Sequence, residues 1–228
     1  MARTLTPWKL KSRRNFTLRG ESLELFERLV KWRSLFVEDV LTTYSRGTLY
    51  RLTIRNVTYI HPTPYGEIVM LGPDGRLKAE MNPNTRSPTD SVLTAAFLSR
   101  TISELQDLGY LYSQRESRSW HWLTDLSGND CLLVGQVRGI ASRTIRTLLT
   151  KHENQMLRTG DYILVAVNDR RRSRHIAAKR SRLVRVHFTA VDKDDGTQFM
   201  RAQEAERKRL KRERDLASWH RRKGGSTI

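Results

Sequence analysis

The stretch SLELFERLVKWRSLFVEDVLTTYSRGTLYRLTIRNVTYIHPTPYGEIVMLGPDG, residues 22–75, changes its periodicity in a fixed order, and that order decides the reading of the chain. Leu23, Leu25, Phe26, Leu29 and Val30 recur at helical spacing with Glu24 and Glu27 left for water, which predicts a helix over 21–32. A second short helix fits Val37 to Tyr44. Ser45 then stands where an N-cap belongs, because its hydroxyl can accept from the free amides of a third helix beginning at Arg46. Beyond it Val57, Tyr59 and Ile60 rise, a Pro-Thr-Pro-Tyr-Gly turn reverses the chain, and Ile68, Val69, Met70 and Leu71 return, so a two-stranded hairpin is expected. Helix, helix, helix and hairpin in this order are the parts of a winged helix-turn-helix, assigned here to residues 21–80.

In such a unit the third helix divides its residues between core and groove. Leu49, Leu52 and Ile54 are expected to face the core, leaving Arg46, Thr48, Arg51 and Arg55 for base edges and phosphates. Arginine suits that place because its planar fork pairs with guanine O6 and N7 or straddles a phosphate. His61, Thr63 and Tyr65 at the hairpin are expected to meet the DNA backbone or the adjacent minor groove.

Composition points to the same kind of partner. The 228 residues hold 42 Lys and Arg against 24 Asp and Glu, a formal charge of +18, while 38% hydrophobic content is enough for real cores. Surplus positive charge of this size seeks a polyanion, and double-stranded DNA qualifies because each neutralised phosphate releases condensed counterions. An acidic membrane surface is the rival partner. Against it, the sequence has no long apolar run and the N-terminus MARTLTPWKLKSRRNF has no apolar stretch of the signal-peptide kind, so a cytoplasmic, nucleoid-associated location is expected.

Outside the winged unit, residues 1–20 read as a basic arm and 81–90, with Asn, Pro, Ser and Thr, as a linker. Residues 91–195 read as a mixed α/β domain: helix 89–108, strands 110–115, 119–123 and 131–137, helix 140–157, strand 161–167, a basic helix near 170–180 and strand 183–190. Arg170, Arg171, Arg172, Arg174, Lys179 and Arg180 make that basic helix a candidate phosphate clamp. Residues 196–228 read as a basic helical tail. The chain as a whole is therefore expected to be α+β. A rival reading takes 92–124 as the last helix and wing of a second winged helix, with Leu105, Leu108 and Leu111 inward and Arg115 and Arg118 at the wing tip. Trp120 and Trp122 are expected to pack between the two domains, with stacking on an unpaired base as the alternative.

Other chemistry has little to stand on. The lone Cys131, beside Leu132, Leu133 and Val134, excludes an intrachain disulfide and reads as a buried strand residue. The six His show no metal-ligand spacing, and no Gly-rich phosphate loop occurs, so neither a metal, a cofactor nor a small-molecule substrate is expected.

The segment from Leu18 through LELFERLVKWRSLFVEDVLTTY, then SRGTLYRLTIRN, then the hairpin ending in IVMLGPDGR, resembles the winged-helix domain of the replication-relaxation proteins of plasmids, phages and integrative elements. There the hairpin closes on a leucine-threonine-x-x-glycine phrase, of which Leu71-Gly72-Pro73-Asp74-Gly75 is a variant. The rest is similar to that family more weakly: CLLVGQVRGIASRTIRTLLTKHEN, GDYILVAVNDRRRSRHIAAKR and LVRVHFTAVD follow the strand-helix-strand-helix-strand order of its restriction-nuclease-like part. The resemblance implies a sequence-selective duplex DNA binder of a mobile element, acting in transcriptional repression or replication control. Winged-helix repressors commonly pair to read two half-sites, so a homodimer stays open beside a single copy. It also implies acids on alternate positions before Arg138-Gly139, yet Gly135 and Val137 stand there. Without carboxylates to hold Mg²⁺ the second domain reads as a nuclease-like scaffold with no catalytic residue. Two alternatives stay open: a metal-dependent endonuclease using Asp125, Asp130 or Asp161, or a tandem winged-helix adaptor in a larger nucleoprotein assembly.

Overall fold

A computed structural model describes residues 17–84, 88–117, 119–137, 140–168 and 183–191. The first helix, α1 (Glu21–Trp32), turns Leu25, Phe26 and Leu29 inward and carries Glu21 and Glu24 at its N-terminal end and Lys31 at its C-terminal end, the arrangement the helix dipole favours. Leu18, assigned from sequence to a free arm, belongs to the same core and is 6% exposed. After Arg33, in the left-handed region at φ 73°, comes a strand too short for its pattern to be seen in sequence, β1 (Ser34–Phe36). Then follow α2 (Val37–Thr43), α3 (Arg46–Ile54) and the hairpin β2 (Thr58–Thr63) and β3 (Gly66–Leu71).

Strand β3 lies between β1 and β2 and is antiparallel to both. Its consecutive apolar residues follow from cover on two sides. Val69 and Leu71 join Leu25, Leu29, Leu49 and Leu52 in one cluster, while Ile68 and Met70 join Phe36 and a second cluster on the opposite face. A short helix unforeseen in sequence, α4 (Pro73–Lys78), follows β3. Its glycines are required by close approach: a Cβ at Gly75 would overlap the Val57 carbonyl oxygen, and one at Gly72 the Asn56 carbonyl oxygen. That approach lets the Gly72 amide donate to the Val57 carbonyl at 2.9 Å and the Asp74 amide to the Asn56 carbonyl at 3.1 Å, latching the start of β2.

The longest helix, α5 (Thr89–Asp107), leads into β4 (Leu111–Arg115), β5 (Trp120–Thr124), β6 (Asp130–Gly135), α6 (Ser142–Thr159), β7 (Tyr162–Val167) and β8 (Val184–Phe188). These strands form one sheet in sequential order, antiparallel from β4 to β6 and parallel from β6 to β8. The fold is α+β. The hairpin β4–β5 is thus two strands of a five-stranded sheet rather than a free wing, which counts against the tandem winged-helix reading. Leu105 is buried as that reading required, but Leu108 and Leu111 are 57% and 69% exposed.

Strands β6 and β7 read as apolar runs because helices cover both faces. Cys131, Leu133, Tyr162, Leu164 and Ala166 face α5, and Leu132, Val134, Ile163 and Val165 face Ile145, Leu148 and Met156 of α6. Helix α5 serves two sheets at once. Every residue from Val92 to Ser99 is buried, since β1 and β3 pack on one side of the helix and the five-stranded sheet on the other. The regions on either side of 81–90 therefore share a core. Polar ties reinforce it: the Ser34 hydroxyl donates to the Val92 carbonyl at 2.5 Å and Arg28 donates to the Ser103 hydroxyl at 3.5 Å.

The tryptophans differ from expectation. Trp120 and Trp122 pack against the α6 cluster, and the Trp122 indole N–H donates to Glu116 at 2.8 Å. The residues at the junction are Trp32, Tyr112 and His121, with ring centroids 5.2 to 6.0 Å apart. Alternation along β5 explains the swap, since His121 lies on the opposite face from the flanking tryptophans. No helix among the described residues is long and apolar enough to cross a membrane.

Candidate nucleic-acid interface

Helix α3 is set by its N-cap. The Ser45 hydroxyl accepts from the Thr48 amide at 3.3 Å, as its position in sequence predicts. A second brace comes from α1, where the Glu21 carboxylate accepts from the Thr48 hydroxyl at 2.7 Å and from the Ser45 hydroxyl at 2.9 Å. The Thr48 hydrogen bond first, then those of Ser45, hold the Glu21 carboxyl below its ordinary range, and the Arg51 charge adds to them. Arg51 in turn donates to the Thr48 hydroxyl at 3.0 Å. The guanidinium at the head of the exposed face is therefore oriented by a three-residue chain, Glu21–Thr48–Arg51.

Thr48, expected to read base edges, is fully buried and spends its hydroxyl on this chain. Arg46, Arg51 and Arg55 are exposed, as expected. Ile54, expected in the core, is 62% exposed, and Tyr50, which sequence reading passed over, is 67% exposed. Helical spacing carried both signals: at about 100° per residue Ile54 lies about 200° from Leu52, whereas Thr48 lies only about 40° from it.

The hairpin tip also departs from expectation. Strands β2 and β3 are joined by a two-residue loop, Pro64–Tyr65, whose Tyr65 amide donates to the Thr63 hydroxyl at 3.1 Å. Thr63 is buried and Tyr65 packs against the α5 cluster. Neither side chain is presented outward. His61 is half-buried, 6.2 Å from the ring of Tyr59, which is itself 52% exposed at the sheet edge. The hairpin thus offers Tyr59 and His61 rather than its tip. Arg170, Arg171, Arg172, Arg174, Lys179 and Arg180 lie outside the described residues, as do most of the arm and the tail.

In the second sheet, Asp125, Asp130 and Asp161 cluster around the starts of β6 and β7, and each is engaged locally. Asp125 accepts from the Ser127 and Asn129 amides at 2.9 and 3.0 Å and from the Tyr162 hydroxyl at 3.2 Å, and it pairs with Arg185 at 3.5 Å. Burial pushes its carboxyl up, but the hydrogen bonds of Asn129, Ser127 and Tyr162 outweigh burial and hold it below its ordinary value. Asp161 accepts from the Asp130 amide at 3.0 Å and from the Thr159 hydroxyl, and Asp130 accepts from Thr124 at 2.8 Å. They are turn-fixing groups.

Gly135 ends β6 at the side opposite these acids, and Val137 follows two residues beyond it. A Cβ at Gly135 would stand 2.7 Å from the Ala166 Cβ and 2.8 Å from its carbonyl oxygen, so this position has no room for a carboxylate, and Val137 is buried. No group of three or more His, Cys, Asp or Glu among the described residues is placed to hold a metal ion. Comparison of the chain with protein-family models, with curated proteins and with solved structures gives no match.

Proposed function

We propose that the chain is a sequence-selective duplex DNA-binding protein of a mobile element, working in transcriptional repression or replication control. The observation that carries this reading is the outward face of α3, where Arg46 and Arg51 are exposed around Tyr50 and Ile54, with Arg55 at the C-cap and no acid on that helix. Two further features support it. The order α1, β1, α2, α3, β2, β3 with sheet order β1-β3-β2 supports the reading as a winged helix-turn-helix, a unit whose third helix enters the major groove. The net charge of +18 supplies the phosphate attraction that brings such a helix to DNA.

The order α5, β4, β5, β6, α6, β7, β8 supports a nuclease-like scaffold for the second part, reused for DNA contact or for pairing of two copies. The filled space beside Gly135 supports its use without phosphodiester cleavage. A supercoiled plasmid incubated with Mg²⁺ or Mn²⁺ checks this point; nicking lost on Asp130→Ala would restore the nuclease alternative. Together with the resemblance described above, these features favour the replication-relaxation family and a cytoplasmic, nucleoid-associated setting.

Selection of bound fragments from random duplexes tests the main reading and gives half-site spacing. Arg51→Ala and Arg55→Ala are expected to weaken binding to the selected site more than to random DNA. Equal losses on both would leave only charge attraction and remove base reading by α3.

A further inference from the structure

Four positions of α3 form one outward stripe: Gly47, Tyr50, Arg51 and Ile54, spaced as one face of a helix. Two are large and apolar yet stand in water, Tyr50 at 67% and Ile54 at 62% exposed. Among the described residues no structural demand explains them. The core side of α3 is complete with Thr48, Leu49 and Leu52, and the surroundings of Gly47 are open enough that an added Cβ would meet nothing within 4 Å. A helix this short packs with one face, and here the other face is apolar at its centre and cationic at its margins. Among the described residues neither Arg46 nor Arg55 forms an ion pair.

Charge complementarity chooses the occupant. The acid nearest in contact with α3, Glu21, is turned onto Ser45 and Thr48, so the stripe itself is wholly cationic at its edges. In the major groove the apolar feature among the base edges is the thymine 5-methyl group, and aliphatic or aromatic carbon is what meets it. Guanine and phosphate answer the flanking guanidiniums. The absence of a side chain at Gly47 lets the helix backbone approach closely.

We propose that Tyr50 and Ile54 make α3 thymine-selective, covering the 5-methyl groups of A·T pairs that lie between the bases and phosphates met by Arg46, Arg51 and Arg55. This inference rests on the reading of α3 as the groove-entering helix and adds which bases it selects.

The test uses the full-length chain and the duplex obtained by selection. Each thymine is replaced singly by deoxyuridine, which removes the methyl group and keeps the base pair, and affinity is read by fluorescence anisotropy. At one or two positions wild-type binding is expected to weaken about fourfold, the worth of one buried methyl-sized group. The same replacements are expected to leave Ile54→Ala or Tyr50→Ala unaffected, since the covering carbon is already gone. Wild-type binding that prefers the selected duplex over random DNA but ignores every replacement overturns thymine selection and leaves groove reading intact. A chain with no preference among duplexes, whose stripe variants instead lose a protein partner, overturns both.

Discussion

The Arg100 guanidinium of α5 lies 2.7 Å from the Asp39 carboxylate of α2, gripping it through Nε as well, at 2.9 and 3.0 Å to the two oxygens. The same group reaches Glu38 at 3.1 Å and stacks 4.3 Å over the Phe36 ring, so one side chain pins the helix preceding α3 to the central helix. Arg100→Leu is expected to cost roughly 1 to 3 kcal/mol, the range for charged hydrogen bonds lost from a mostly buried place. Arg100→Lys is expected to recover only part, because an ammonium cannot fork or stack in the same way. Urea midpoints at unchanged slope would measure both; a neutral Arg100→Leu would mean that the pair is only a surface ornament.

Glycine replacements at two helical sites should differ in sign. Ala in place of a helical Gly ordinarily stabilises by about 0.5 to 1 kcal/mol. Gly47→Ala, with open space around its Cβ, is expected to follow that rule. Gly75→Ala would push into the Val57 carbonyl and is expected to destabilise by roughly 1 to 3 kcal/mol. Thermal melts of the two variants side by side decide it, and stabilisation by Gly75→Ala would show that α4 moves off the sheet at little cost.

His121 should make the fold acid-sensitive. Its Nδ1 is buried and has no hydrogen-bond partner among the described residues, and burial first, then the charges of Arg115 and Lys31, push its pKa from 6.5 down to about 4. Well above pH 6.5 the imidazole is neutral in both states and contributes no pH dependence. Between that value and about 4 the unfolded chain takes up a proton that the folded chain refuses, so stability falls with pH, by about 3 kcal/mol in all. His121→Leu is expected to flatten urea midpoints against pH across this window. An identical slope in the variant would assign the acid sensitivity elsewhere.

Salt should report the basic cluster. Replacing Arg170, Arg171 and Arg172 together is expected to lower affinity for every duplex and to reduce the slope of log K against log salt by about 0.9 for each phosphate left unneutralised. An unchanged slope would show that the cluster is solvated and touches no DNA.

Much of the architecture was legible because its signals are local. The runs at Ile68–Leu71 and Tyr162–Val167, the spacing in α1 and the Ser45 cap each follow from which faces are covered or which amides need a partner. What escaped depends on distant neighbours. β1 has three residues, too few to show alternation. The inward turn of Thr48 follows from Glu21, 27 positions away, and the partial burial of Tyr65 from the α5 cluster. The β2–β3 hairpin was readable, but not that α5 would lie against the face that carries Ile68 and Met70.

Helix α5 is the keystone of two vaults. A fragment ending near residue 84 would bare Phe36, Ile68 and Met70, and one starting near 88 would strip cover from Val92 and Phe97, so neither half is a sound piece to express alone. Whatever load the five-stranded body bears passes from α5 to β1, β3 and α2, and of these β3 and α2 share with α3 the core around Val40, Leu49, Leu52 and Val69.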